Sequence, residues 1–171
     1  MRLTNGLALR LGLLAALSAF GSLAWPQVAA AATDTLAGIE VSPGVIIGDV
    51  RVGTAFVGQA AGDLPGRWAV TIRYTPPHPG AGVTNNILGG TWALEVWSQR
   101  RLVGMIYGTV GSGGQAVWDE NGIIADLQVP LTIRGGTGKW RNASGTGTFD
   151  GRLSHAYVIP RIKGTLLLDL K

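Results

Sequence analysis

The chain contains no cysteine. That excludes disulfide stapling, thiolate catalysis and cysteine-ligated zinc or iron–sulfur sites. Histidine is nearly as scarce, with only His78 and His155. A protein zinc site needs three or four converging ligands. His78 sits in a proline-rich stretch and His155 near a strand end, so both are read as solvent-facing, and neither a metal nor a cofactor is expected. Charged residues make up 14% of the chain, below the usual roughly 25%. No segment after residue 32 spaces its apolar residues for an amphipathic helix. No Gly-x-Ser-x-Gly nucleophile elbow is present, and Ser42, Ser98, Ser112, Ser144 and Ser154 all fall at turns or strand ends. Around Gly138-Lys139 a phosphate loop would need a first glycine where Ile133 stands, and a Ser or Thr where Trp140 stands. The glycine-rich 108–113 stretch likewise lacks a strand–turn–helix setting.

What is present begins with a leader. Arg2 and Arg10 precede an uncharged apolar run of thirteen residues at 11–23, followed by Ala29-Ala30-Ala31-Ala32 and the polar Thr33-Asp34. That order describes a secretory signal peptide at 1–32. As a helix, the run would span about 20 Å, short of the roughly 30 Å of a hydrocarbon core, so no membrane span is expected after cleavage. The remaining 33–171 would be one domain, secreted or periplasmic. Without Arg2 and Arg10, twelve basic residues face ten acidic ones, a net charge of +2. That is too little to argue for nucleic acid or a membrane surface as partner, and Arg100-Arg101 reads as a solvated turn.

Glycine supplies 27 of 171 residues without a Gly-X-Y period. Mixed with Val, Ile, Thr and Trp, it points to short strands with tight corners. Strands are read at 45–52, 53–59, 67–75, 87–98, 102–110, 116–118, 123–133, 145–153 and 163–170. In the third, Trp68, Val70, Ile72 and Tyr74 share one face and Arg67, Thr71 and Arg73 the other. Pro76, Pro77 and Pro79 enforce a loop, Asn121-Gly122 signals a hairpin, and Gly135-Gly136-Thr137-Gly138 reads as a tight turn. About eight strands without crossover helices give an all-β domain, a single eight-stranded antiparallel β-barrel. Such a barrel is just wide enough for packed side chains or one small ligand.

The stretch from Leu131 through Ile133, Gly135-Gly136-Thr137-Gly138, Lys139-Trp140 and on to Gly145 resembles the allene oxide cyclase and dirigent barrels, with Gly147-Thr148-Phe149 fitting the next strand. The resemblance covers about 25 residues. It implies an eight-stranded barrel with an apolar cavity, homo-oligomers (dimers or trimers), and cofactor-free cyclisation or coupling chemistry. It brings no catalytic residue with it, because the match falls on a structural turn. The Gly66-Arg67-Trp68 triplet is similar to a lipocalin Gly-x-Trp and is read as barrel packing.

Glu95, mid-strand between Trp92 and Trp97, and Tyr107 are the candidates for proton chemistry. A carboxyl aimed into an apolar barrel would have a raised pKa, although Trp92, Leu94 and Val96 form the more apolar face, which turns Glu95 outward. Asp126 and Arg134 are read as exterior. Trp68, Tyr74 and Trp92 are the candidate ligand-binding residues, and the expected partner is a small apolar molecule. Trp97 and Trp118 are candidates for stacking on carbohydrate from the surface. Three functions stay open: a cyclase or isomerase, a carrier, and a structural or surface-interaction barrel plugged by tryptophan.

Overall fold

A computed structural model describes residues 30–76 and 80–171 of the chain; His78 and all but the last three residues of the expected leader at 1–32 lie outside them. Nine strands follow one another: β1 (Ala30–Ile47), β2 (Val50–Gly62), β3 (Gly66–Tyr74), β4 (Thr84–Ser98), β5 (Arg101–Val110), β6 (Gly114–Trp118), β7 (Ile124–Gly138), β8 (Gly145–Ser154) and β9 (Arg161–Leu170). No helix occurs among the described residues. Every pairing is antiparallel. The order β3-β2-β1-β9-β8-β7-β5-β4 closes on itself through a β3–β4 pairing. β6 continues the line of β5 between the same two neighbours, β4 and β7, after a break at Gly111–Gly113. Nine strands therefore make a closed eight-stranded barrel.

Alternation decides which face is buried. Leu36 on β1, Phe56 on β2, Trp68 and Tyr74 on β3, Leu94 on β4, Ile106 on β5, Leu127 and Leu131 on β7, Phe149 on β8 and Leu166 on β9 all point inward and are buried. The apolar face is thus the inner one, the reverse of a barrel that spans lipid. Large rings fit inside because glycines stand opposite them. A Cβ on Gly38 would lie 2.5 Å from Trp68 Cζ2, one on Gly151 2.6 Å from Phe149 Cζ, and one on Gly108 2.9 Å from Trp92 Nε1. Each ring occupies the volume of a side chain missing nearby: two strands away for Trp68, on the paired strand for Trp92, and two residues along its own strand for Phe149.

The structure moves several boundaries read from the sequence. Segment 45–52 is not a strand but the tip of the β1–β2 hairpin, where Gly48 turns the chain with φ of 58°. β1 begins fifteen residues earlier, and Ala30, Ala31 and Ala32, read as the end of the leader, pair with Leu170, Asp169 and Leu168. Gly135-Gly136-Thr137-Gly138 is strand, paired with Tyr107, Ile106, Met105 and Gly104; the turn follows it. These glycines serve close approach, since a Cβ on Gly135 would lie 2.8 Å from the Tyr107 hydroxyl. At Asn121-Gly122 the hairpin forms as expected. Asp119 closes it by accepting the Ile123 and Ile124 N–H groups at 2.8 and 3.2 Å, and these bonds, the first above all, hold its carboxyl below the usual range.

Replacing Gly108 by Val should test the aromatic-over-glycine packing. Its side chain would meet both the Trp92 ring and the Thr132 backbone. A loss of about 1–3 kcal/mol in urea unfolding is expected, and an unchanged midpoint would show that the Trp92 ring can yield.

Candidate functional site

One end of the barrel carries the β1–β2, β3–β4, β6–β7 and β8–β9 connections, and three strands are bulged close to it. Val41 is the extra residue on β1, since Glu40 pairs with Phe56 and Ser42 with Ala55. On β2, Val52 and Gly53 together oppose Arg73, between Arg51↔Tyr74 and Thr54↔Ile72. On β4, Leu88 is extra, between Ile87↔Tyr74 and Gly89↔Arg73. Gly89 adopts φ of 132° there, a value a side chain would resist. A bulge reverses which residues point inward. Asn85 and Ile87 therefore face the interior before the Leu88 bulge, and Trp92, Leu94 and Val96 after it.

Inside lies a cavity of about 80 Å³. Trp68, Tyr74, Trp92, Trp118, Phe56 and Phe149 supply most of its wall, with Leu and Ile between them. Apart from the indole nitrogens, its polar side-chain groups are Thr54, Tyr74 and Asn85, all at the bulged end. Thr54 is 1% exposed and donates to the Pro43 carbonyl at 3.0 Å, with the Tyr74 hydroxyl 3.5 Å away. Asn85, also 1% exposed, accepts the Trp118 indole N–H at 2.7 Å and donates to the Thr75 carbonyl at 2.6 Å. His155 stands edge-on to Trp118, ring centres 5.0 Å apart.

Glu40 from β1 and Arg51 from β2 complete this end. Arg51 donates to the Pro43 carbonyl at 3.0 Å through Nη1. Its Nε and the Glu40 Oε2 are buried without hydrogen-bond partners among the described residues. Burial pushes the Glu40 carboxyl above its ordinary pKa, opposed by the positive charge of Arg51. Burial also raises the Tyr74 phenol, with the Thr54 hydrogen bond and Arg51 acting against it, and lowers His155. The end thus gathers a carboxyl whose pKa burial raises, a phenol and a guanidinium. These groups can bind an oxygen atom or hold and deliver a proton.

The expected ligand-binding residues Trp68, Tyr74 and Trp92 do line one cavity. Glu95 and Tyr107 do not reach it. Glu95 lies on the outer face and accepts the Trp97 indole N–H at 3.3 Å, while Tyr107 is 41% exposed on the outer face of β5. The strand pleat sends both side chains away from the interior, as the apolar face of Trp92, Leu94 and Val96 requires for Glu95. Trp118 is buried at 3% and leaves no face for carbohydrate; His155 is half-buried, not solvent-facing. Asp126 and Arg134 are exterior, Asp126 paired with Arg152 at 2.7 Å. Sequence reasoning missed Glu40, Arg51, Thr54 and Asn85. The alternation of Ala32, Asp34, Leu36, Gly38 and Glu40 is the signal that places Glu40 inward.

Searches against protein-family models, curated proteins and solved structures each found no match to this chain.

Because folding raises its pKa, Glu40 binds its proton more tightly in the barrel than in the unfolded chain. Its contribution to stability is complete below the ordinary value of 4.5 and is lost as pH rises through the folded value. In thermal melts, Glu40→Gln should therefore lose less melting temperature than the parent between pH 4 and pH 7.5. Parallel curves would show that Glu40 ionises freely.

Proposed function

We propose that this chain is an exported barrel that receives a small apolar molecule in its interior, with Tyr74, Thr54 and Asn85 meeting the ligand's polar atom. The observation that carries this reading is the placement of polarity: an apolar, aromatic-walled cavity whose polar groups converge at one bulged end. Ligand sites commonly combine apolar walls with a few convergent polar groups. The leader, with Arg2, Arg10 and its apolar run, supports export, and a cut upstream of Ala32 would leave that buried residue in place. The likeness to allene oxide cyclase and dirigent barrels supports the same reading. Tyr74 in the cavity wall and Glu40 beside the same end extend it toward isomerisation or cyclisation, in which such groups exchange a proton with the ligand.

Volume restricts the ligand. An apolar cavity of about 150 Å³ accepts benzene, and about 80 Å³ is smaller than that. Occupants larger than a few heavy atoms require the Trp68, Trp92 or Trp118 rings to swing aside. The same volume favours the second reading, a barrel plugged by tryptophan that acts as a structural or surface-interaction protein.

Tryptophan fluorescence separates the two. A panel from benzene-sized ketones and hydrocarbons to terpenoids, fatty acids and aromatic polyketides would be titrated into the protein. The carrier reading expects a saturable spectral shift with the smallest ring compounds. Tyr74→Phe should weaken oxygenated ligands about two- to tenfold, the worth of one hydrogen bond, and leave hydrocarbons unaffected. Emission that stays blue and unchanged across the panel assigns the plugged barrel.

A further inference from the structure

The fold sorts charges that look scattered along the sequence. At the end opposite the cavity's polar groups lie the β2–β3, β4–β5 and β7–β8 turns, the start of β1 and the end of β9. The β4–β5 turn presents Arg100, followed at once by Arg101, and the β7–β8 turn presents Lys139 and Arg141; all four are exposed. Gln99 and Arg100 hold φ of 48° and 64°, a left-handed pair that folds the chain back within two residues and leaves the Arg100 side chain outward. Asp63 is the acidic residue in the turns of this end. The turns of the cavity end carry Asp49, Asp119 and Glu120, against which stands the exposed Arg161 at the start of β9.

Two tryptophans sit at the cationic end, both half-buried. Trp97 lies under Arg67, with 5.5 Å from guanidinium carbon to ring centre, and Trp140 lies under Lys139, with the ammonium 5.1 Å from its ring. Half-buried indoles beside cations are what lipid headgroups favour at a bilayer interface. β1 also starts here, since Ala30 pairs with Leu170.

We propose that the barrel docks through this end on an anionic lipid surface, with Arg100, Arg101, Lys139 and Arg141 over the headgroups and Trp97 and Trp140 at the interface. Opposite charge at the far end orients the approach, turning the cavity's polar end away from the bilayer. This contact is independent of whether the cavity holds a ligand.

The test measures binding of the full chain to phosphatidylcholine vesicles with and without phosphatidylglycerol. The affinity ratio between the two cancels any attraction of the leader for neutral lipid. The parent should favour anionic vesicles, and each of Arg100→Asn, Arg101→Gln, Lys139→Gln and Arg141→Gln should lower the ratio about fivefold. Asn at position 100 tolerates the left-handed backbone, and all four side chains are exposed, so unchanged melting curves confirm intact folding. Glu120→Lys, at the other end, raises net charge by two and should change the ratio by less than about twofold if orientation governs binding. A parent ratio of one overturns the proposal, as does a Glu120→Lys gain as large as the losses at the cationic end. Vesicle-free self-association that the four substitutions abolish overturns it in favour of end-to-end contact between copies.

Discussion

Interior volume governs this molecule. An eight-stranded ring leaves room for one layer of side chains or a very small ligand, and here aromatic rings take most of it. Trp68, Trp92 and Phe149 are accommodated because Gly38, Gly108, Gly151 and Gly164 leave the space beside them free of side chains. The high glycine content is thus largely a property of the packed interior, and only at a few positions one of turns. The cavity is the remainder of that packing. It is apolar because rings and branched aliphatic residues wall it, and it is small because those rings are large.

Asp34 apart, the polar side chains of the interior lie close to where regular pairing is broken. Each bulge inserts one unpaired residue and reverses the inward set, which brings Thr54 and Asn85 inside. Such groups are costly to bury and are retained with partners: the Asn85 amide is tied to Trp118 and Thr75. Glu40 carries an oxygen without one among the described residues, and burial raises its pKa. At the opposite end Asp34 is comparable. It is 1% exposed and accepts the Leu64 N–H at 2.9 Å through one oxygen while the other is unpartnered, and burial raises its carboxyl above the ordinary value.

The all-β architecture and the number of strands in the ring were legible in the sequence, because period-two alternation in segments such as 67–75 admits one buried face. Trp68, Tyr74 and Trp92 were legible as cavity residues, whereas Trp118, read as a candidate for the surface, also lines the interior. Glu40 was not, since a short alternating segment rich in alanine next to a leader resembles the leader's tail. Asn85 was hidden behind three prolines that suggested a longer loop than the one that forms. Outward placement of Tyr107 depends on Gly135 lying beside it on another strand, a relation between residues 28 positions apart that local pattern does not express. The grouping of Arg100, Arg101, Lys139 and Arg141 is likewise a property of topology, as the β4–β5 and β7–β8 turns meet only once the ring is formed.

Closure of that ring joins the first strand to the last, Ala30 beside Leu170 through Ile39 beside Arg161. Nearly the whole chain separates these partners, so the pairing is the most nonlocal contact in the fold and the slowest to be reached by random search. Until residues 161–170 have been synthesised, β1 lacks one neighbour and β8 lacks another. A nascent chain is therefore an open, curved sheet with two sticky margins. Completion waits for the final ten-residue strand, which acts as the clasp of the molecule. A chain threaded from its N-terminus through a narrow channel would stay unclosed until its last strand emerged on the far side.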